Sequence, residues 1–112
     1  MRSEDLVRIQ HMIEASENAV AFVSGRNRSD LDTDRMLLFA VVRAIEIMGE
    51  AASRITDETR VAQPTVPWHA IVGMRNRLVH AYFDINSQMV WETVTVEIPS
   101  LLPTLKALAG AK

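Results

Sequence analysis

Four side chains in the segment 74–83 could act together on a charged substrate: Arg75, Asn76, His80 and Tyr82. At about 100° per residue of an α-helix, Arg75 lies in the middle of an apolar arc, and Tyr82 lies nearly above it two turns later. Asn76 and His80 are four residues apart, so they lie side by side on the flank of that arc. Burying an unpaired guanidinium costs several kcal/mol. A cation on a packing face therefore indicates a functional site.

An ordinary structural role for the same side chains is the alternative. The stem of Arg75 could pack while its charged end reaches water, His80 could be a hydrogen-bonded core histidine, and Tyr82 could be an interface aromatic. A buried Arg75 needs an anionic partner, and Glu46 or Glu50 of the preceding long helix could supply one. Those two carboxylates could instead pair with arginines along their own helix, which stabilises a helix only weakly.

The residue types favour metal-free cleavage of RNA, whose 2′-hydroxyl can attack the neighbouring phosphate. Histidine is the side chain that changes charge near neutral pH, so His80 can take up or supply a proton. Arg75 offers a planar fork of donors to phosphate oxygens whose charge grows in the transition state, and Asn76 could orient His80 or the phosphate. The reaction needs both an acid and a base, but one chain offers a single well-placed histidine. A two-fold homodimer would supply two of each residue in one cleft.

Other kinds of site find no support in the sequence. The histidines at positions 11, 69 and 80 show no paired spacing with carboxylates, and there is no cysteine, so no metal site is expected. No serine nucleophile lies in a recognisable motif, and the four glycines form no phosphate-binding or dinucleotide-binding loop. We therefore expect neither a metal nor a cofactor. His11 lies off the apolar stripe of the first helix and is expected on the surface.

The composition is that of one small domain covering residues 1–112. Hydrophobic residues make up 48% of the chain, enough to favour burial of some surface against a second copy. The formal net charge of −2 argues against a protein that holds nucleic acid by bulk electrostatics, so any RNA contact must be local. The N-terminus lacks the apolar core of a signal peptide, and no apolar run is long enough to span a membrane. A soluble, cytoplasmic protein is the expectation.

Apolar residues with helical spacing predict a first helix over residues 3–25, with Ser3 as its N-cap, and a second over about 33–55. The prolines of the connector 56–67 prevent a long helix there. The third helix is predicted over about 68–83 and carries the candidate site.

The second helix is predicted to be the centre of the fold. Its segment 36–42 is apolar all round, which favours burial on most sides. Gly49 and the small residues after it make the helix thin, so another helix can come close.

The loop 25–30 between the first two helices carries two arginines. One interpretation is a basic lip for a phosphate chain. The turn-forming composition favours the more ordinary interpretation, a solvated loop in which Asp30 or Asp32 caps the second helix.

A fourth helix is predicted after a cap at Asn86 or Ser87. The β-branched residues 94–96 make a strand the competing prediction, but apolar residues with helical spacing favour a helix. Pro99 and Pro103 should kink or split it. The predicted fold is an all-α, up-and-down bundle of four helices.

The string from Arg75 to Tyr82 has the form R-N-x-x-x-H-x-Y. In this it resembles the signature of HEPN-domain toxins of the HepT type. Three further blocks are similar to that family in the same order: Glu-Ile-Met-Gly-Glu-Ala-Ala at 46–52, Pro-Trp at 67–68 and Val-Trp-Glu-Thr-Val at 90–94. The resemblance covers nearly the whole chain, and the blocks together are far more specific than the short motif.

The resemblance implies a HEPN-like helical domain that dimerises, with the motif residues lining a cleft between two copies. Similar proteins are metal-independent ribonucleases that act as toxins of toxin–antitoxin pairs. Their partner is a nucleotidyltransferase of the MNT type, which silences the toxin by adding AMP to the motif tyrosine. By position, the resemblance makes Arg75 and His80 catalytic, Asn76 and Arg77 supporting, and Tyr82 the modified residue. Adenylate on Tyr82 would then compete for Arg75.

Two other functions remain open at this point. The same cleft could bind a nucleotide or RNA without cleaving it, an alternative that the low positive charge of the chain favours. The chain could also be a structural dimer whose role is to bind the nucleotidyltransferase partner.

Overall fold

The computed structural model describes residues 1–80 and 84–110, and within these residues the chain is helical without a strand. The helices are α1 (Ser3–Phe22), α2 (Asp30–Thr33), α3 (Arg35–Ser53), α4 (Asp57–Ala62), α5 (Trp68–His80), α6 (Ser87–Glu92) and α7 (Ile98–Gly110), with a π-helical turn at Thr93–Glu97 between the last two. The bundle consists of α1, α3, α5 and the continuous element α6–α7. The predicted all-α class is confirmed, and the short helices α2 and α4 are additions to it.

Helix α3 lies at the centre and packs against α1 and α5, while α7 packs against α1. Its inner side carries buried apolar residues at helical spacing, among them Val41, Ile45 and Met48. Its outer side is not covered, since Met36 is 84% exposed and Phe39 is 50% exposed. The prediction that this segment is buried on most sides is therefore wrong for one chain, because the neighbouring helices reach only its inner side.

Side chains cap the N-termini of α3, α4 and α6, and the caps differ from the prediction at two helices. Asn86 caps α6 as expected, because its Oδ1 accepts a backbone N–H of the first turn at 3.0 Å. Helix α3 is capped by Asp34 rather than by Asp30 or Asp32, and the Asp34 Oδ1 accepts an N–H at 3.1 Å. Ser3 lies inside α1, whose N-cap is the preceding residue and makes no side-chain cap.

The fourth helix is split by the π turn Thr93–Glu97, which ends just before Pro99. At the end of this turn the N–H of Ile98 bonds to a carbonyl five residues back instead of four. In a regular α-helix, the ring of Pro99 would clash with the carbonyl four residues before it and leave that carbonyl without a donor. The wider turn relieves this conflict. Pro103 lies inside α7 without interrupting it, so the split precedes the prolines.

The predicted connector contains helix α4. The buried carboxylate of Asp5 in α1 accepts hydrogen bonds from residues at the start of α4. Asp5 is only 1% exposed. Its Oδ1 accepts the backbone N–H of Thr56 at 3.1 Å, and its Oδ2 accepts the hydroxyls of Thr56 and Thr59, each at 2.6 Å. These three charge-assisted hydrogen bonds replace the water that the carboxylate loses on burial.

The protonation of Asp5 depends on the balance between burial and these hydrogen bonds. Burial raises the pKa of the carboxyl, but the bonds from Thr56 and Thr59 and the charge of Arg2 lower it more, so the pKa lies below its ordinary value. A carboxyl whose pKa is lowered by folding stabilises the fold at every pH above its unfolded-state pKa. This stabilisation is lost as the pH falls through the lowered pKa.

Replacing Asp5 with Asn should lower the free energy of unfolding at pH 7 by about 1–3 kcal/mol, because an amide cannot accept all three hydrogen bonds. The deficit relative to the parent should shrink as the pH falls below about 4, because the Asp5 carboxyl of the unfolded parent takes up a proton there before that of the folded parent does. Urea unfolding at a series of pH values measures both effects. Glu4→Gln, at an exposed acid of the same helical turn, is the control. Equal stability of Asp5→Asn and the parent at pH 7 would contradict this role.

Candidate functional site

Helix α5, which carries the motif, lies close to α3 because α3 presents Gly49 at their contact. A Cβ atom at Gly49 would overlap the Cβ of Arg75, and it would lie 2.9 Å from the Cγ of Arg75 and 3.2 Å from the carbonyl oxygen of Ile71. The predicted close approach at Gly49 is confirmed. The stem of Arg75 fills the space that a side chain at position 49 would need.

Arg75 projects toward α3, and its side chain is 24% exposed. Its Nη1 lies 3.6 Å from Oε2 of Glu50, whereas Glu46 pairs with Arg43 at 3.5 Å. Of the two expected carboxylates, Glu50 is thus the one beside Arg75. Glu50 also pairs with Arg54 at 3.1 Å, so it lies between two guanidinium groups.

The ion pair between Arg75 and Glu50 is a long one. A separation of 3.6 Å is longer than a hydrogen bond, so Glu50 orients the guanidinium mainly by charge. The Nε of Arg75 is buried and has no hydrogen-bond partner among the described residues. The guanidinium as a whole is partly exposed, and its terminal Nη groups are suited to binding two oxygens of an anion.

The other described motif residues are more exposed than Arg75. Asn76, Arg77 and His80 are exposed on α5. Five residues along an α-helix correspond to a rotation of about 140°, so Arg75 and His80 leave α5 in different directions. The groove that Arg75 lines does not include His80, so one chain does not bring these two side chains to the same groove. Tyr82 lies outside the described residues.

The side chain of Arg75 lines a groove between α1, α3 and α5, and this groove has a volume of about 400 Å³. We name it the arginine groove; its charged and titratable lining consists of Arg8, His11, Arg43, Glu46, Glu50, Arg54 and Arg75. Arg8 and His11 belong to α1, far from the motif in sequence, so residue spacing could not reveal that they line the same groove. His11 is exposed, as predicted, but it shares the groove with Arg75.

A second groove, of about 620 Å³, lies on the other side of α5. It is lined mainly by apolar side chains, including Met48, Met74 and Met89, and Arg77 and His69 also line it. Arg77 therefore lies beside a different groove from the one that holds Arg75.

The loop arginines Arg26 and Arg28 form ion pairs with neighbouring carboxylates. Arg26 pairs with Asp34 at 2.8 Å and with Asp30 at 3.3 Å, and Arg28 pairs with Asp32 at 3.2 Å. Their charges are largely balanced within the loop. This arrangement favours the solvated structural loop over a basic lip.

Exposed apolar side chains lie beside the arginine groove. Met36, Phe39 and Ile47 share the outer face of α3 and are 84%, 50% and 40% exposed; Phe22 of α1 and Val79 of α5 are 42% and 41% exposed. We name these five residues the outer α3 patch. Ile47 and Val79 also line the arginine groove, so the patch and the groove are continuous. A cluster of exposed apolar residues is typical of a surface that binds another protein.

Among residues 1–80 and 84–110, no three His, Cys, Asp or Glu side chains are grouped closely enough to hold a metal ion. The two carboxylates that line the arginine groove, Glu46 and Glu50, are each paired with an arginine. No helix in the described part of the chain is long and apolar enough to cross a membrane.

A family model described as "Ribonuclease HepT-like" matches residues 12–108. The chain belongs to the HepT-like ribonuclease family. The match includes α3, α5 and every residue of the motif, which confirms the resemblance found in the sequence. Arg8 and His11 precede the matched range.

Several relatives of this HepT-like chain are similar along most of their length. A protein of Thermococcus cleftensis named "Probable ribonuclease HepT" is 36% identical over 98 residues, which are 88% of this chain and 84% of the relative. A protein of Caldanaerobacter subterraneus subsp. tengcongensis, named as a candidate RNase, is 37% identical over 100 residues, 89% of each chain. A candidate RNase of Methanocaldococcus jannaschii is 33% identical over 90 residues, 80% of this chain and 83% of the relative. No solved structure matches the HepT-like chain.

Gly49→Ala should lower the free energy of unfolding by about 1–3 kcal/mol, because the added methyl forces α3 and α5 apart at Arg75. Gly73→Ala is a matched control on α5, since a Cβ there meets nothing within 4 Å. That control should stabilise the protein by about 0.5–1 kcal/mol, because alanine favours a helix interior. Thermal or urea unfolding of both variants measures the difference. If Gly49→Ala were as stable as Gly73→Ala, the close contact would not constrain the fold.

Proposed function

We propose that this HepT-like protein is a metal-independent endoribonuclease that acts as a homodimer and serves as the toxin of a toxin–antitoxin pair. The observation that carries the proposal is the state of Arg75. Its guanidinium is partly buried, oriented by Glu50 and located at the edge of a cationic groove. Family membership supports RNA as the substrate.

The proposed reaction is an internal transesterification of RNA. A histidine removes the proton from a 2′-hydroxyl, whose oxygen attacks the adjacent phosphorus, and the bond from phosphorus to the 5′-oxygen breaks. A second histidine supplies a proton to the leaving 5′-oxygen, so the products are a 2′,3′-cyclic phosphate and a 5′-hydroxyl. Arg75 stabilises the charge that accumulates on the phosphate oxygens. Asn76 supports the phosphate and His80 from the preceding turn of α5, whereas Arg77 lines the second groove.

A second copy of the chain would complete this site. One chain turns Arg75 and His80 in different directions, and it offers one motif histidine for a reaction that needs two proton transfers. The outer α3 patch is the surface best suited to the contact, because it is apolar and continuous with the arginine groove. Packing two patches together would bring the two α5 helices to one cleft. His80 of one copy then serves as the base while His80 of the other serves as the acid.

Silencing by a nucleotidyltransferase antitoxin of the MNT type is part of the same proposal. The antitoxin would transfer AMP from ATP to the hydroxyl oxygen of Tyr82, forming a phosphodiester and releasing pyrophosphate. The helical spacing predicted from the sequence between Arg75 and Tyr82 would put this added phosphate near the guanidinium that should bind the substrate phosphate. The bulky anion would thereby compete with RNA in the cleft. Toxin and antitoxin would meet in the cytoplasm.

A second candidate is a non-catalytic module that binds a nucleotide, RNA or the nucleotidyltransferase. The separation of Arg75 and His80 within one chain favours it, because a monomer could bind a phosphate at Arg75 without having the histidines in place. The formal net charge of −2 also limits the affinity for long RNA.

Purified, unmodified protein should cleave total cellular RNA in the presence of EDTA and leave 2′,3′-cyclic phosphate ends. His80→Ala and Arg75→Ala should each reduce the cleavage rate by about 100-fold or more, because each removes a group that acts in the transition state. Labelled fragments resolved on gels, with their ends mapped, give the rates and the chemistry.

His69→Ala is the matched control, since His69 is an exposed histidine of the same helix that lines the other groove. It should cleave at the parent rate. If the purified, dimeric, unmodified parent protein leaves RNA intact, the ribonuclease proposal is wrong and the non-catalytic binding module is the function that remains.

Phe39→Glu should convert the dimer to monomers and abolish cleavage, because an unpaired charge in the outer α3 patch cannot be buried between two copies without a large cost. Sedimentation or light scattering gives the mass, and the RNA assay gives the activity. Val61→Glu adds the same charge at a valine of α4 that is 79% exposed and lies outside the patch, so it should stay dimeric and active. A monomeric Phe39→Glu protein with full activity would refute the composite cleft.

A further inference from the structure

The proposed reaction uses Arg75 but leaves most of the arginine groove without a role. Arg8 and His11 come from α1, Arg43 comes from α3, and Arg54 follows the last residue of α3; all four line the groove together with Arg75. The side chains that make this groove cationic therefore come from outside the motif.

The groove concentrates positive charge in a protein that is acidic as a whole. Four arginines and two glutamates line it, which leaves a formal charge of +2, whereas the whole chain carries −2. His11 adds further positive charge when it is protonated. A local cationic concentration on an acidic chain attracts an anion to one place rather than to the whole surface.

The charges of Arg8 and Arg43 are available to a ligand. Arg8 takes part in no ion pair among the described residues. Arg43 lies 3.5 Å from Glu46, and its side chain is 71% exposed. Such an exposed, loose pair contributes little to stability, so a phosphate could replace the glutamate at small cost. Arg26 differs, because two carboxylates hold it in its loop.

We propose that the arginine groove binds the RNA backbone beside the cleavage point, with Arg8 and Arg43 contacting phosphates other than the one held by Arg75. This inference rests on the proposed function for its ligand, and it adds the path that the ligand follows. Arg54 acts differently: it pairs with Glu50, which lies beside Arg75, and so helps to position the motif arginine.

Contacts in this groove should not depend on base sequence. The groove's lining contains no Phe, Tyr or Trp among the described residues, so the imidazole of His11 is the one aromatic ring there on which a base could stack, and stacking accepts any base. Guanidinium groups bind phosphate oxygens of any nucleotide. Binding should consequently weaken with salt, because each phosphate contact releases counterions from the RNA.

The test is binding of a short, labelled, mixed-sequence single-stranded RNA to full-length dimeric protein carrying His80→Ala, which prevents cleavage during the measurement. Adding Arg8→Gln and Arg43→Gln should raise Kd roughly tenfold at moderate ionic strength. It should also make the plot of log binding constant against log salt shallower by about 1.4, at about 0.7 for each lost phosphate contact. With His80 intact, the same pair should raise KM for RNA cleavage.

The control replaces Arg2 and Lys106 with Gln in the same background. These two substitutions remove the same amount of charge as Arg8→Gln and Arg43→Gln, and each breaks an ion pair with one exposed glutamate outside the groove. They should leave Kd and the salt slope near the values of the His80→Ala protein. Equal Kd and slope for the two double variants would overturn the proposal. Loss of the dimer in the Arg8→Gln, Arg43→Gln protein would also overturn it, because the arginines would then hold the two copies together. If the His80-containing parent fails to cleave RNA while the groove variants still weaken binding, the proposed function fails and this inference stands.

Discussion

The close contact between α3 and α5 at Gly49 is the constraint on which the candidate site depends. Because position 49 has no side chain, the stem of Arg75 packs directly on the α3 backbone. This contact puts the guanidinium beside Glu50 and at the edge of the groove formed with α1. Any larger residue at 49 would move the motif helix and the ion pair together. One glycine on a neighbouring helix thus determines where the motif arginine lies.

The site is a partly charged, partly apolar surface, and the two parts have different roles. Within the arginine groove, each glutamate lies beside an arginine, so cationic side chains gather there without strong mutual repulsion. Around the groove, the outer α3 patch leaves large apolar side chains in water, which costs free energy in an isolated chain. A second copy would remove that cost, and the same packing would bring two motif helices to one cleft.

Local sequence information was sufficient for the four main helices and for the motif, but not for the short helices α2 and α4. Helical periodicity and the cap at Asn86 depend on residues within one or two turns, so they could be read directly. The features that the sequence did not reveal depend on distant pairs. Asp5 bonds to Thr56 and Thr59 across the fold, and Arg8 and His11 join Arg75 in one groove. In both cases the spacing in the sequence carries no periodic signal, because tertiary packing alone makes the contact.

The π turn at Thr93–Glu97 determines how helix α7 is rotated about its own axis. One extra residue in a helical turn rotates the following segment by about 100° about its axis. The buried side chains of α7, such as Leu105, therefore face α1 only because the turn contains that residue. Removing a single residue from this stretch would turn Leu105 toward solvent and expose a different face of α7 to the core. The length of the chain between α6 and α7 is thus as strongly constrained as the identity of any core residue.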